Sequence, residues 1–192
     1  MNIFCIGRNY VDHINELGNT IPDEPVIFLK PASSIYTPTN PYKIPHFTND
    51  LNYEIELVLK ISKEIKNATH VNFMECCNEI TVGIDFTARD LQNKLKSKGL
   101  PWEKAKAFDN ATVLGKFLPI HNIDFSKPIQ FSLHKNNQVV QQSTTAYMLH
   151  DFNKIIEHIS IFFTLHPGDL IFTGTPAGVG ITKIGDCFIG FI

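Results

Sequence analysis

The 192 residues are 43% hydrophobic and 11% aromatic, enough apolar side chain for one buried core without disulfides or a structural metal. Seventeen Lys and Arg against nineteen Asp and Glu leave a formal charge of -2, which excludes a general basic field for nucleic acid or an anionic membrane, so any anionic partner must be gripped locally. Cys5, Cys76, Cys77 and Cys187 show no C-x-x-C spacing, and no apolar run has the length of a membrane span or a signal segment, so a reducing, cytoplasmic setting is expected.

In chain order, residues 2–6 (NIFCI) and 26–29 (VIFL) read as short strands. Between them Val11, Ile14 and Leu17 recur at helical spacing before Gly18, which predicts a brief helix. Pro31, Pro38, Pro41 and Pro45, with Ser33, Ser34 and Asn40, make residues 31–50 irregular. Residues 53–61 (YEIELVLKI) alternate as a strand. Helices are expected over 72–80 and 87–98, flanking the apolar TVGIDF segment, and over 152–163, where FNKIIEHISIFF carries an apolar stripe. Residues 129–134 and 138–143 read as a hairpin around Asn136-Asn137, and 169–173 and 186–192 as late strands. Strands outnumber helices without a βαβ rhythm, and no linker or repeat marks a boundary, so one domain over 1–192 is expected.

Glu54 and Glu56 are two residues apart on the predicted strand, so their carboxylates leave one face and converge. Ile55, Leu57 and Leu59 take the other face, which makes that face the packed one and leaves a solvated glutamate face as the plain alternative. Asp85 lies within the apolar TVGIDF run, where an unpaired carboxylate would cost several kcal/mol or shift its pKa. Its ordinary partner would be Arg89, four residues on in a helix. Its other partner would be a cation shared with the two glutamates. Three hard oxygen ligands without nearby Cys or H-x-x-x-H spacing favour Mg2+ or Mn2+, with Ca2+ also admitted, over zinc.

Six segments then read together: GRNYVDHINELG at 7–18, PVIFLKP at 25–31, NYEIEL at 52–57, GIDFTARDLQ at 83–92, KAFDN at 106–110 and TGTPAGVG at 173–180. In order and approximate spacing they resemble the fumarylacetoacetate hydrolase family, over nearly the whole chain. The resemblance implies an α+β, mainly β fold, a mixed β-sandwich roll with a few short helices, commonly a homodimer. It implies that Glu54, Glu56 and Asp85 hold Mg2+ or Mn2+, and that His13 and Glu16 are the pair that activates water in acylpyruvate-cleaving members. Lys106 is implied as a catalytic residue, with substrate contacts at Arg8, Lys30, Gln92 and Thr175. His13 and Glu16 are three residues apart on the predicted helix, so Glu16 can orient the imidazole as a base, and Gly18 beyond them would let the segment swing as a lid. TGTPAGVG matches neither G-x-G-x-x-G nor a P-loop, which argues against a nucleotide, although its backbone N–H groups suit a carboxylate.

Two features depart from the family. Its chains usually continue past the strand that here reads GDCFIGFI, so the closing strand is expected to lack a partner, and Asn110 stands where many members carry threonine. The first expectation for function is hydrolysis of a carbon-carbon bond in an acylpyruvate-like 2,4-dioxo acid, with a small 2-oxo acid as substrate. The alternatives are decarboxylation or keto-enol tautomerisation of oxaloacetate, or isomerisation of a 2-hydroxyhepta-2,4-diene-1,7-dioate-like diacid. A non-catalytic metal or carboxylate-binding domain would keep the acidic triad but has no use for His13 and Glu16.

Overall fold

The computed structural model describes residues 1–38 and 41–192; of the expected irregular stretch 31–50, Asn40 lies outside the described residues. The strands in chain order are β1 (Ile3–Gly7), β2 (Val26–Lys30), β3 (Leu51–Tyr53), β4 (Ile55–Ile61), β5 (Cys77–Asp85), β6 (Thr87–Ala88), β7 (Thr112–Leu114), β8 (Leu118–Pro119), β9 (Gln130–Lys135), β10 (Gln138–Thr144), β11 (Leu170–Phe172), β12 (Gly180–Ile181) and β13 (Phe188–Phe191). The α-helices are α1 (Val11–Glu16), α2 (Phe73–Cys76), α3 (Arg89–Lys96), α4 (Glu103–Lys106) and α5 (Phe152–Phe162). None is long and apolar enough to cross a membrane.

A large sheet runs β2-β1-β11-β4-β5-β7, with β8 also on β5, and its pairs are antiparallel except β1 with β11. Two small sheets, β10-β9-β13 and β12-β3-β6, flank it. Alternation along the strands buries both faces of the large sheet. Phe4, Ile6, Ile55, Leu57, Leu59, Ile80, Val82 and Ile84 share one core with Phe131 and Leu133 of β9 and with Phe152, Ile155, Ile156 and Ile159 of α5. Ile3, Cys5, Val58, Leu170 and Phe172 form a second core on the other face. Glu54 and Glu56 belong by parity to that second face.

Several sequence expectations need correction. The strand over 53–61 is divided at Glu54, because residues 51–53 pair with β6 and β12 whereas 55–61 pair with β5 and β11. The helix over 72–80 is one turn, Phe73–Cys76; residues 77–80 are strand because Cys77, Glu79 and Ile80 face Ile61, Lys60 and Leu59 of β4, and pairing with a neighbour outweighs local periodicity. The helix over 87–98 starts at Arg89, since Thr87 and Ala88 pair with β3. The closing strand β13 does have a partner, lying antiparallel to β9. The hairpin turns where expected, with Asn136 and Asn137 both at positive φ (52° and 65°), as a two-residue turn between twisted strands requires. All four cysteines are free.

Candidate active site

Strand register brings the three acids together. Glu56 faces Gly83 and Ile55 faces Ile84 across β4 and β5, and the Asp85 N–H donates to the Glu54 carbonyl at 2.9 Å. Glu54, Glu56 and Asp85 therefore leave the same face of adjacent strands, and each has a carboxylate oxygen within 4.8 Å of the others. The face is not solvated: Glu54 and Glu56 are only 4% and 2% exposed, and Asp85 is fully buried. Gly83 is forced here, because a Cβ would meet the Phe172 ring and the Val113 carbonyl at 2.8 Å.

Buried carboxylates need cations. The Lys106 ammonium, at the end of α4, donates to Glu54 Oε2 and Asp85 Oδ2 at 2.7 Å each, and so bridges two of the three acids. Lys30, expected at the substrate, is wholly buried behind Asp85, pairs with it and donates to the Ala111 carbonyl at 2.8 Å; it does not line the cleft. Arg89 pairs with Glu54 rather than with Asp85, because the strand residues 87–88 separate Asp85 from the helix. Glu56 alone has no ion pair among the described residues; its Oε2 accepts the Gly174 N–H at 2.7 Å.

The electrostatics follow. Against the upward pull of burial, Lys106 and then Arg89 hold the Glu54 carboxyl far below the usual range. Burial, and then the charge of Asp85, push the Glu56 carboxyl well above it. Although burial opposes its charge, the Lys106 ammonium is held above its ordinary value by Asp85 and Glu54, so it remains a cation across the physiological range. One lysine thus already stands between two carboxylate oxygens while a third carboxylate, also buried, lacks a counter-ion. That donor set suits a hard divalent cation.

The cleft over these acids, about 460 Å3 with its open mouth, is lined by Arg8, His13, Arg89, Gln92, Lys96, Lys106 and Thr175 among others. His13, on α1, places Nδ1 3.0 Å from Glu16 Oε2, while Glu16 Oε1 accepts the Gly178 N–H at 2.9 Å. The acid thus clips α1 to the 173–180 loop. A carboxylate only accepts, so in the neutral imidazole Nδ1 carries the proton and Nε2 keeps its lone pair. Gln92 accepts from Arg89 at 2.6 Å.

Three contributors were not among the expected site residues. Gln141 is buried on β10, just past a bulge, and bonds Ile55 N, Thr175 Oγ1 and the Pro176 carbonyl, each at 2.9 Å. A Gln in VVQQ gives no hint of this. Arg89 and Lys96 were readable in principle, since Arg89, Gln92 and Lys96 fall three and seven positions along one helical face.

Comparison with known proteins shows the family and the fold. The fumarylacetoacetate hydrolase C-terminal family model matches residues 2–190. The chain belongs to the fumarylacetoacetate hydrolase family. Within it, oxaloacetate tautomerase YcgM of Escherichia coli (strain K12) is 40% identical over 187 residues, covering 96% of this chain and 84% of that protein. A mitochondrial oxaloacetate decarboxylase of Dictyostelium discoideum is 38% identical over 184 residues, 95% of this chain and 84% of that protein. The crystal structure of fumarylpyruvate hydrolase from Pseudomonas aeruginosa, in complex with Mn2+ and pyruvate, superposes with a TM-score of 0.93 at 34% identity, covering all of this chain and 84% of that one. The mainly β architecture with a few short helices is therefore the fold of this enzyme family.

Proposed function

We propose that this chain is a metal-dependent tautomerase that interconverts the keto and enol forms of oxaloacetate. The observation that carries the reading is an imidazole with a free Nε2, fixed by Glu16, in the same cleft as an ammonium held cationic by two buried carboxylates. Tautomerisation needs those two things: a base for the C3 proton and positive charge for the oxygen that becomes an enolate. The names of the relatives favour oxaloacetate among the substrates that share this chemistry.

The reading assigns the parts as follows. Glu54, Glu56 and Asp85 would hold Mg2+ or Mn2+, which when bound supplies Lewis-acid polarisation of the substrate's 2-oxo group. His13 Nε2 takes a proton from C3, the C–H electron pair becomes the C2–C3 double bond, and the carbonyl pair moves onto the 2-oxo oxygen. Glu16 holds the imidazolium that forms. Lys106 faces the developing negative oxygen, and return of the proton to that oxygen completes the enol, with nothing gained or lost. Thr175, kept in place by Gln141, and Gln92, set by Arg89, border the bound substrate. Phe28, Leu17 and Trp102 keep the lining apolar between the charged groups and limit water.

Hydrolysis of an acylpyruvate, the first expectation from sequence, is the second reading. It is favoured by the likeness to a fumarylpyruvate hydrolase and would use His13 to take a proton from water. A panel of oxaloacetate and acylpyruvates with added Mg2+, reading enol absorbance, pyruvate and CO2 separately, divides the two. The tautomerase reading expects catalysed loss of the enol signal without matching pyruvate or CO2. Pyruvate from an acylpyruvate, with oxaloacetate untouched, would replace it by the hydrolase.

A further inference from the structure

We propose that Arg8 and Lys96 form a carboxylate subsite in the outer part of the cleft, which takes the second carboxylate of a 2-oxo dicarboxylic acid and so selects diacids over monoacids. The inference deepens the tautomerase reading and rests on it for the identity of the reacting end.

The charge pairing of the cleft carries the argument. Lys30, Lys106 and Arg89 are matched by the carboxylates of Asp85 and Glu54, and His13 by Glu16. Arg8 and Lys96 line the same cleft and have no carboxylate partner among the described residues. Among the described residues the Lys96 ammonium is held only by a neutral amide oxygen, Asn19 Oδ1, at 2.8 Å. Two half-buried cations that repel each other without a counter-ion are a cost to the fold, and an arriving anion relieves it. Burial, and then the charges of Arg8 and Arg89, push the Lys96 ammonium below its ordinary value, in line with that cost.

The placement is built rather than incidental. Lys96 stands on the α3 face that also presents Arg89 and Gln92, one turn farther along, so it extends the line of polar groups that begins beside Glu54. Arg8 has φ +59°, a left-handed backbone that costs a non-glycine residue about 1 to 2 kcal/mol. The neighbouring Asn9 holds it there. Its side-chain nitrogen donates to the Thr173 and His150 carbonyls at 2.8 and 3.0 Å, and its oxygen accepts the His150 N–H at 2.8 Å. The strained residue is thereby fixed with its cation in the cleft. An ordinary surface lysine and arginine would need neither the burial nor the strain.

The test compares oxaloacetate with its 4-methyl ester, which keeps the reacting 2-oxo acid and loses the distal charge. Lys96→Met and Arg8→Asn, the latter chosen because Asn tolerates the left-handed backbone, are examined beside the wild type and Lys96→Arg. Dissociation constants are read by calorimetry in Mg2+. The wild type should bind the diacid more tightly than the ester, and Lys96→Met should weaken the diacid about 10- to 100-fold, as expected for one charge-assisted hydrogen bond, with the ester unchanged. Lys96→Arg should restore most of the contrast. Equal weakening of both ligands, or of neither, in folded variants overturns the subsite. The binding contrast does not require turnover, so a wild type that binds with this preference but fails to interconvert the tautomers would refute the tautomerase and leave the subsite standing.

Discussion

Gln141 accepts a hydrogen bond from the Ile55 N–H at 2.9 Å, at the residue that lies between Glu54 and Glu56. The same amide donates to Thr175 Oγ1 and the Pro176 carbonyl at 2.9 Å, so one side chain joins the acid-bearing strand to the 173–180 loop. Gln141→Leu keeps the volume but leaves a buried N–H without an acceptor, at a cost of about 1 to 3 kcal/mol. If Glu54 and Glu56 hold a metal, their geometry loosens with it, and Mn2+ affinity measured by calorimetry should fall about 10- to 100-fold. Loss of melting temperature with unchanged Mn2+ binding would reduce Gln141 to a packing role.

Much of this arrangement was legible in the chain. Parity along YEIEL puts the glutamates on one face, and a carboxylate in TVGIDF needs a buried cation. The identity of that cation was not legible. Arg89 is a natural helical partner for Asp85 by spacing, yet Asp85 pairs with Lys30 and Lys106, because residues 87–88 are drawn into a strand by β3 and the helix starts too late. The solvated alternative for the glutamate face failed for a similar reason. One face of the central sheet is covered by segments distant in sequence, β9 and α5, and on the other Ile35 and Phe117 pack against the core of Ile3, Val58 and Phe172, so alternation in one strand cannot report what packs on it. The misread helix over 77–80 and the unread Gln141 belong to the same class, since each depends on a strand partner rather than on local pattern.

The opposed shifts of Glu54 and Glu56 set a pH dependence for the metal-free protein. A carboxyl raised on folding, as Glu56 is by burial and by Asp85, favours the folded state below its unfolded pKa of about 4.3, and that contribution is lost as pH rises through its folded value. Glu54, held down by Lys106 and Arg89 against burial, behaves oppositely: its contribution is present above the ordinary carboxylate range and is lost only in strong acid. In excess chelator the melting temperature should therefore fall over the interval that starts at the ordinary carboxylate range and ends at the raised folded value of Glu56. Glu56→Gln should flatten that fall and also abolish Mg2+ binding. A wild-type melting temperature unchanged over the interval contradicts the assignment.

His13 and Glu16 can serve as a base and its orienting partner, or as a clip, since Glu16 also holds the Gly178 N–H. As a base, His13 is needed for proton transfer at C3, and His13→Ala should slow tautomerisation about 100- to 10,000-fold. Decarboxylation of oxaloacetate needs only an electron sink, so any such side activity should suffer less, whereas Lys106→Ala should depress both. Equal losses in the two activities of His13→Ala would make closure of the cleft the function of the pair.

We expect a homodimer in solution. The late part of the chain exposes Ile181, Ile184, Ile189, Phe191 and Ile192, with Ile184 95% exposed, an apolar collection that a lone chain would leave in water. Light scattering at micromolar concentration should return twice the 21.7 kDa chain mass. A clean monomer would contradict the expectation.

The most direct measurement of the central claim starts from oxaloacetate dissolved as the enol and follows the decay of its ultraviolet absorbance. With Mg2+ and the wild-type protein the decay should far outpace the protein-free rate, without release of pyruvate or CO2. It should return to the uncatalysed rate in excess chelator and with Glu56→Gln. Enol decay at the protein-free rate in the presence of folded, Mg2+-loaded protein would contradict the account.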